Sequence, residues 1–118
     1  MDNVLELAIN RSGWALWCRV EGCKQRMIIR YAPGDVAGAV LGAFTHVKEH
    51  HWYQDVQINC NHRDIVRMVQ ENNNPDGSVT LREANLLYRM LSRCTITAVD
   101  DGQISEAVRL SRLCAALG

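Results

Sequence analysis

Pro33–Val69 reads PGDVAGAVLGAFTHVKEHHWYQDVQINCNHRDIVRMV. Pro33-Gly34 breaks what precedes, and Asp35 is placed to cap a helix. Val36, Val40, Phe44 and Val47 mark one stripe at helical spacing; Ala37 and Leu41 widen it, and Gly38, Ala39, Gly42 and Ala43 fill the remainder. The helix is expected to run to about Lys48. Each internal glycine costs about 1 kcal/mol against alanine, so close approach to a sheet or another helix is expected to offset it. Polar residues arrive only at the C-terminal end, at Thr45, His46, Lys48, Glu49, His50 and His51, which reads as a solvated helix end. Asp55–Asn59 (DVQIN) is a strand. Asn61 opens the next helix, with Asp64 three residues on. Ile65, Val66, Met68 and Val69 give that helix its apolar side. The whole stretch is a helix–strand–helix unit, and it makes the chain α/β.

The remainder completes this unit. Val4–Ile9 (VLELAI) is a nearly continuous apolar run, suited to a strand covered on both faces. Asn10-Arg11-Ser12-Gly13 is a turn. Trp14–Val20 is a second strand, with Trp14, Leu16, Cys18 and Val20 on one face and Ala15, Trp17 and Arg19 on the other. Glu21-Gly22 turns the chain into a third strand, Gln25–Tyr31, whose Arg26 and Arg30 suggest a solvated sheet edge. After a polar loop at 72–78, Thr80 with Glu83 forms a capping box for a helix to about Arg93, with Ala84, Leu87, Tyr88 and Leu91 on one face. Thr95–Val99 is a β-branched strand. Asp100-Asp101-Gly102 turns the chain, and Ser105–Leu117 is a last helix with Ala107, Leu110, Cys114 and Leu117 inward. The expected architecture is one domain over 1–118. It is a five-stranded mixed sheet with helices on both faces, in the order β-β-β-α-β-α-α-β-α.

Composition narrows the function. At 118 residues the chain can bury a core without staples. Its net charge is zero, whereas a duplex-binding domain is usually basic because phosphate neutralisation dominates affinity. Cys18, Cys23, Cys60, Cys94 and Cys114 are odd in number and lack CxxC spacing, so they read as buried reduced thiols of a cytoplasmic protein. No run approaches the length needed to span a bilayer, and Met1-Asp2-Asn3 lacks the positive charge of a signal peptide.

The element order along nearly the whole chain resembles the ribonuclease H-like fold. Lys48-Glu49-His50 through Asp55-Val56-Gln57-Ile58-Asn59-Cys60-Asn61 is similar to that family's passage from its first helix into its fourth strand. Leu81–Leu117 is similar to its C-terminal third. The resemblance implies phosphodiester hydrolysis by two divalent cations held between carboxylates. It places those carboxylates at the end of the first strand, in the first helix, at the end of the fourth strand and in the last helix. The matching residues here are Asn10, Val36, Asn61 and Arg109. A neutral amide is a poor ligand for a hard cation, and Arg109 would repel one. The resemblance therefore implies a catalytically silent relative with no metal and no cofactor. The family's basic extra helix has no counterpart, since only a short loop separates Glu71 from Thr80. Asp35, Asp100 and Asp101 remain for a displaced carboxylate site, although as cap and turn residues they need no metal.

Two other patterns carry chemistry on paper. His46-Val47-Lys48-Glu49-His50 is formally H-x-x-E-H. It lacks room downstream for a third helical ligand and reads as the wet end of a buried helix. Cys60 stands at a strand end beside His62, the setting of some cysteine nucleophiles, but no acid is placed to orient the imidazole.

Arg11, Trp14, Trp17, Lys24, Arg26 and Arg30 gather in or near the first hairpins. Cations among tryptophans bind single strands by charge and stacking, form protein interfaces, or simply combine a wet edge with core. The leading expectation is a non-catalytic binding or adaptor protein acting through a protein interface, self-association included. Its small size suits a phage or mobile-element accessory role. The alternatives are a binder of single-stranded or structured nucleic acid and a residual nuclease with relocated carboxylates. The nucleic-acid binder would use those hairpin residues and the Asn61-His62-Arg63 helix start, whose backbone N–H groups could take a phosphate.

Overall fold

The apolar run that opens the chain becomes the centre of the sheet. In the computed structural model, which describes residues 3–117, β1 (Val4–Ile9) pairs antiparallel with β2 (Gly13–Cys18) on one side and parallel with β4 (Val56–Cys60) on the other. β3 (Met27–Tyr31) adds antiparallel to β2, and β5 (Cys94–Ala98) adds parallel to β4. The order β3-β2-β1-β4-β5 is the expected five-stranded mixed sheet. The helices are α1 (Val36–His50), α2 (Arg63–Gln70), α3 (Val79–Met90), α4 (Ser105–Arg112) and the short α5 (Cys114–Leu117). None of the described helices is long and apolar enough to cross a membrane.

Alternation along the strands decides which helices lie where. Leu5, Leu7, Leu16 and Cys18 face α1, whose Ala39, Val40, Ala43, Phe44 and Val47 are all buried in the main core. α2 packs on β5, and α3 packs along α1, where Phe44 and Tyr88 bring their rings to 5.1 Å. The opposite face of β1 offers Ala8, which packs with Ile104 and Ala107 below Trp17. Helices therefore cover both faces. On that second face α4 lies over β1, β2 and β3. The polar side of β4 and β5 borders an open concavity of about 880 Å³ lined by Arg19, Gln57, Asn59, Arg93 and Thr95.

Gly42 accounts for a helix glycine. A Cβ there would stand 2.6 Å from Cη2 of Trp14, so the missing side chain is the space that the indole fills. Asp35 caps α1 as expected, accepting from Gly38 N.

Four local expectations change. Asn61 does not cap α2, because its amide is used by β1; His62 caps instead, its Nδ1 accepting from Ile65 N. α3 starts two residues before the Thr80 box. Ser78 and Asn74 exchange hydrogen bonds that hold Ser78 extended, and the Ser78 hydroxyl accepts from Leu81 N. α3 also ends at Met90, short of Arg93. The single last helix, preceded by a 3-10 turn (Asp101–Ile104), divides at Leu113 into α4 and α5. Ala107, Leu110 and Cys114 are buried as expected, whereas the Leu117 side chain lies outside the described residues.

Candidate functional site

Parallel pairing of β1 and β4 sets their C-terminal ends side by side, the usual position of a cleft in such sheets. Asn10 and Asn61 stand there, and both amides are already engaged. Asn61 Oδ1 accepts from Ile9 N (2.8 Å), while its Nδ2 donates to Ile9 O (3.3 Å) and to Asp101 Oδ1 (2.9 Å). Asn10 Oδ1 accepts from the N–H groups of Ser12 and Gly13, and its Nδ2 donates to Ser111 Oγ (3.0 Å). Asp100 pairs with Arg63 (3.0 Å). Arg109 pairs with Glu106 on its own helix. A cleft of about 440 Å³ opens beside these groups, lined by Ile9, Asn10, Arg11, Gly34, Val36 and His62. Among the described residues Asp35, Asp100 and Asp101 do not converge on one point: Asp35 is used by the α1 cap, Asp101 by Asn61 and Asp100 by Arg63.

The hairpin residues separate by burial. Trp14 is 6% exposed and packed against α1; Trp17 is half-buried toward α4. Neither is an open stacking platform. Arg11, Lys24, Arg26 and Arg30 are exposed, the last on the edge strand beside Tyr31. Arg63 is exposed and His62 half-buried at the start of α2.

Cys60 is buried, and burial pushes its thiol up to about 11 despite the His62 backbone N–H directed at the sulfur. The His62 imidazole faces Ile65 N. Burial outweighs that one favourable contact, so the thiol is not an activated nucleophile.

The cluster that sequence spacing did not reveal joins the second strand to the end of the first helix. Cys18, Cys23, His46 and His51 are all buried, and one ligand atom from each lies within 4.8 Å of every other. Cys18 Sγ is 3.5 Å from His51 Nε2, and Cys23 Sγ is 3.7 Å from His46 Nε2. Cys18 ends β2. Cys23 is set by the turn in which its N–H donates to Val20 O (3.2 Å). His46 lies one turn before the end of α1, and His51 is the residue that caps it, its N–H donating to Val47 O. The solvated helix end expected here is thus only partly wet: Lys48, Glu49 and His50 are exposed, but His46 and His51 are 3% and 2% exposed.

Burial controls the protonation of this group. It lowers His46 to about 4, helped by the neighbouring His50 and His51, and lowers His51 against a raising hydrogen bond from Gln54. Both imidazoles are therefore neutral near pH 7. Burial and the adjoining Cys23 push Cys18 up to about 12, while the Val20 backbone N–H and Arg26 act the other way. In the sequence the four residues form two separate pairs, C-x4-C and H-x4-H, and neither pair alone indicates that the other lies beside it.

No protein-family model matches the chain, and neither does the sequence of any curated protein. Among solved structures it is similar to RNase H1 from the halophilic archaeon Halobacterium salinarum NRC-1. The TM-score is 0.65 at 11% identity, over 98% of this chain and 99% of that one. The fold is ribonuclease H-like over the whole domain.

Proposed function

We propose that this chain is a non-catalytic protein of ribonuclease H-like fold that works by binding a protein partner, a second copy of itself included. The observation that carries the non-catalytic reading is Asn61. Its amide bridges Ile9 and Asp101 at the strand end, so that Asp101 serves a hydrogen bond rather than standing ready for a cation. The interface reading draws on α3, which turns Val79, Leu86 and Met90 to solvent at i, i+7 and i+11, at 60–75% exposure. Trp52 and Tyr53, also exposed, sit in the loop after α1, and Arg93 just beyond α3 donates to Tyr53 O. Aromatic side chains and methionine are the residues enriched in interface cores.

Two measurements test this. Incubation with RNA–DNA hybrid and single strands in Mg²⁺ or Mn²⁺ is expected to leave the substrates intact. Cleavage lost in Asp101→Asn would establish the relocated-carboxylate nuclease instead. Light scattering across micromolar concentrations is expected to show self-association that Leu86→Asp with Met90→Asp abolishes. A monomer throughout, with no partner recovered, would overturn the interface.

A second reading, binding of single-stranded or structured nucleic acid, is favoured by two observations. Arg11 and His62 line the strand-end cleft, and the structurally similar protein is an RNase H1. Salt-sensitive retention of labelled single strands, weakened by Arg11→Ala, would support it; no retention at low salt would remove it.

A further inference from the structure

We infer that Cys18, Cys23, His46 and His51 form a structural site for one Zn²⁺ ion. Zinc takes thiolate sulfur at about 2.3 Å and imidazole nitrogen at about 2.0–2.1 Å, which in a tetrahedron puts neighbouring S and N atoms about 3.6 Å apart. Two of the four sulfur–nitrogen edges here are 3.5 and 3.7 Å, and no pair among the four donors exceeds 4.8 Å. One thiol–imidazole contact is an ordinary hydrogen bond. Two of them, with all four donor atoms around one buried point, form a coordination shell. Soft sulfur with imidazole in S₂N₂ tetrahedral geometry selects zinc over the oxygen-seeking cations.

Charge supports the same assignment. Two thiolates balance a divalent ion and the imidazoles are neutral, so the filled site has no net charge to bury, and an isolated buried charge is what proteins avoid. Binding releases one proton from each thiol, and no electron moves. Cys23 Sγ gives up its donation to Gln25 O (3.1 Å) in the process. The outer contacts of His51 and Cys18 suit the filled state, while the buried His46 Nδ1 has no partner among the described residues. His51 Nδ1 meets Gln54 Oε1 at 3.1 Å, which leaves Nε2 free to coordinate. The Val20 N–H directed at Cys18 Sγ stabilises a thiolate.

Four protein donors leave no open position, so this zinc activates no water. Its effect is mechanical. It fastens the connection between the second and third strands to the end of the first helix, joining residues 33 apart in sequence at one edge of the core.

The test uses the full chain purified without chelator. Elemental analysis is expected to give one zinc per chain, and thiol titration of the folded protein is expected to find Cys18 and Cys23 protected. Co²⁺ added to chelated protein is expected to give the visible bands of a tetrahedral thiolate complex. Zinc removal is expected to lower the melting midpoint by more than about 10 °C, with recovery on re-addition. Cys18→Ser and His51→Ala are expected to lose the metal, whereas His50→Ala and Cys94→Ser retain it. If the variants fail to fold, the Co²⁺ spectrum of the native sequence still decides. A metal-free protein that gives no tetrahedral Co²⁺ spectrum would overturn the assignment. So would a Cys18–Cys23 disulfide, seen as a mass deficit of two hydrogens, or equal zinc content in Cys18→Ser and His50→Ala.

Discussion

At the scale of single residues, the difference between an amide and a carboxylate at position 61 is the most informative in the chain. Asn61 Nδ2 donates to Asp101 Oδ1 and to Ile9 O. Asn61→Asp would replace that donor with an oxygen, leaving two carboxylates at hydrogen-bond distance and a strand-end carbonyl unpaired. The expected result is a loss of about 1–3 kcal/mol in urea unfolding, since removing one partner of a part-buried hydrogen bond carries the desolvation penalty of the other. A variant as stable as the parent would mean that Asn61 is not committed to the fold. Cys60 gives a second residue-level prediction. With the thiol pushed up to about 11, its alkylation in the folded protein should keep rising about tenfold per pH unit beyond pH 9, where an ordinary thiol near 8.5 has levelled off. The same raised value means that stability falls as pH rises from about 9 toward 11, because the unfolded chain loses that proton first. Peptide mapping after timed alkylation checks this; rapid labelling at neutral pH would restore the nucleophile reading.

At the scale of elements, the sequence was a good guide wherever a stripe or an alternation met one continuous core. The apolar run of β1 and the valine–phenylalanine stripe of α1 declare themselves because each contacts the same cluster. Ends were less legible because caps are decided by competition. His62 caps α2 only because Asn61 is taken by β1, 52 residues away, and Ser78 starts α3 only because Asn74 holds it. Gly42 was legible as a requirement for close packing, but not as room for one particular indole, whereas Gly38 makes room for the carboxylate of the Asp35 cap on its own helix. Gly42→Ala tests that role. Helix propensity alone favours alanine by about 1 kcal/mol, but the added Cβ would lie 2.6 Å from Cη2 and 3.0 Å from Cζ2 of Trp14. Trp14 is buried, so overpacking of about 1–3 kcal/mol should dominate. The substitution is expected to lower the unfolding midpoint and alter tryptophan emission; a stabilised variant would show that the ring has somewhere to go.

At the scale of the whole molecule, the order of elements was enough to read the mixed sheet, but not to join residues that only the fold brings together. Cys18 meets His51 because the C-terminal end of α1 reaches the end of β2, a contact with no local trace in the sequence. Electrostatics is different, because net charge is a whole-chain property and is fully legible. Thirteen cationic side chains oppose thirteen acidic ones, and the structure brings Arg19, Arg63, Arg67, Arg93 and Arg109 within 4 Å of carboxylates. Those arginines release fewer counterions when a duplex approaches than free ones would. The other eight cations are exposed: Arg11, Lys24, Arg26 and Arg30 around the first hairpins, and Lys48, Arg82, Arg89 and Arg112 spread over α1, α3 and α4. A protein covering six phosphates would show a slope of about −5 in log K against log salt, from about −0.9 per phosphate. With zero net charge and its exposed cations spread over several elements rather than gathered along one groove, this chain is expected to fall well short of that slope on RNA–DNA hybrid. It is also expected to show no retention near 10 μM at physiological salt, the middle of the usual non-specific range. Fluorescence anisotropy across a salt series measures both. A slope of −5 or steeper would mean that the hairpin cations suffice to hold a duplex, and would make nucleic acid rather than protein the partner to pursue.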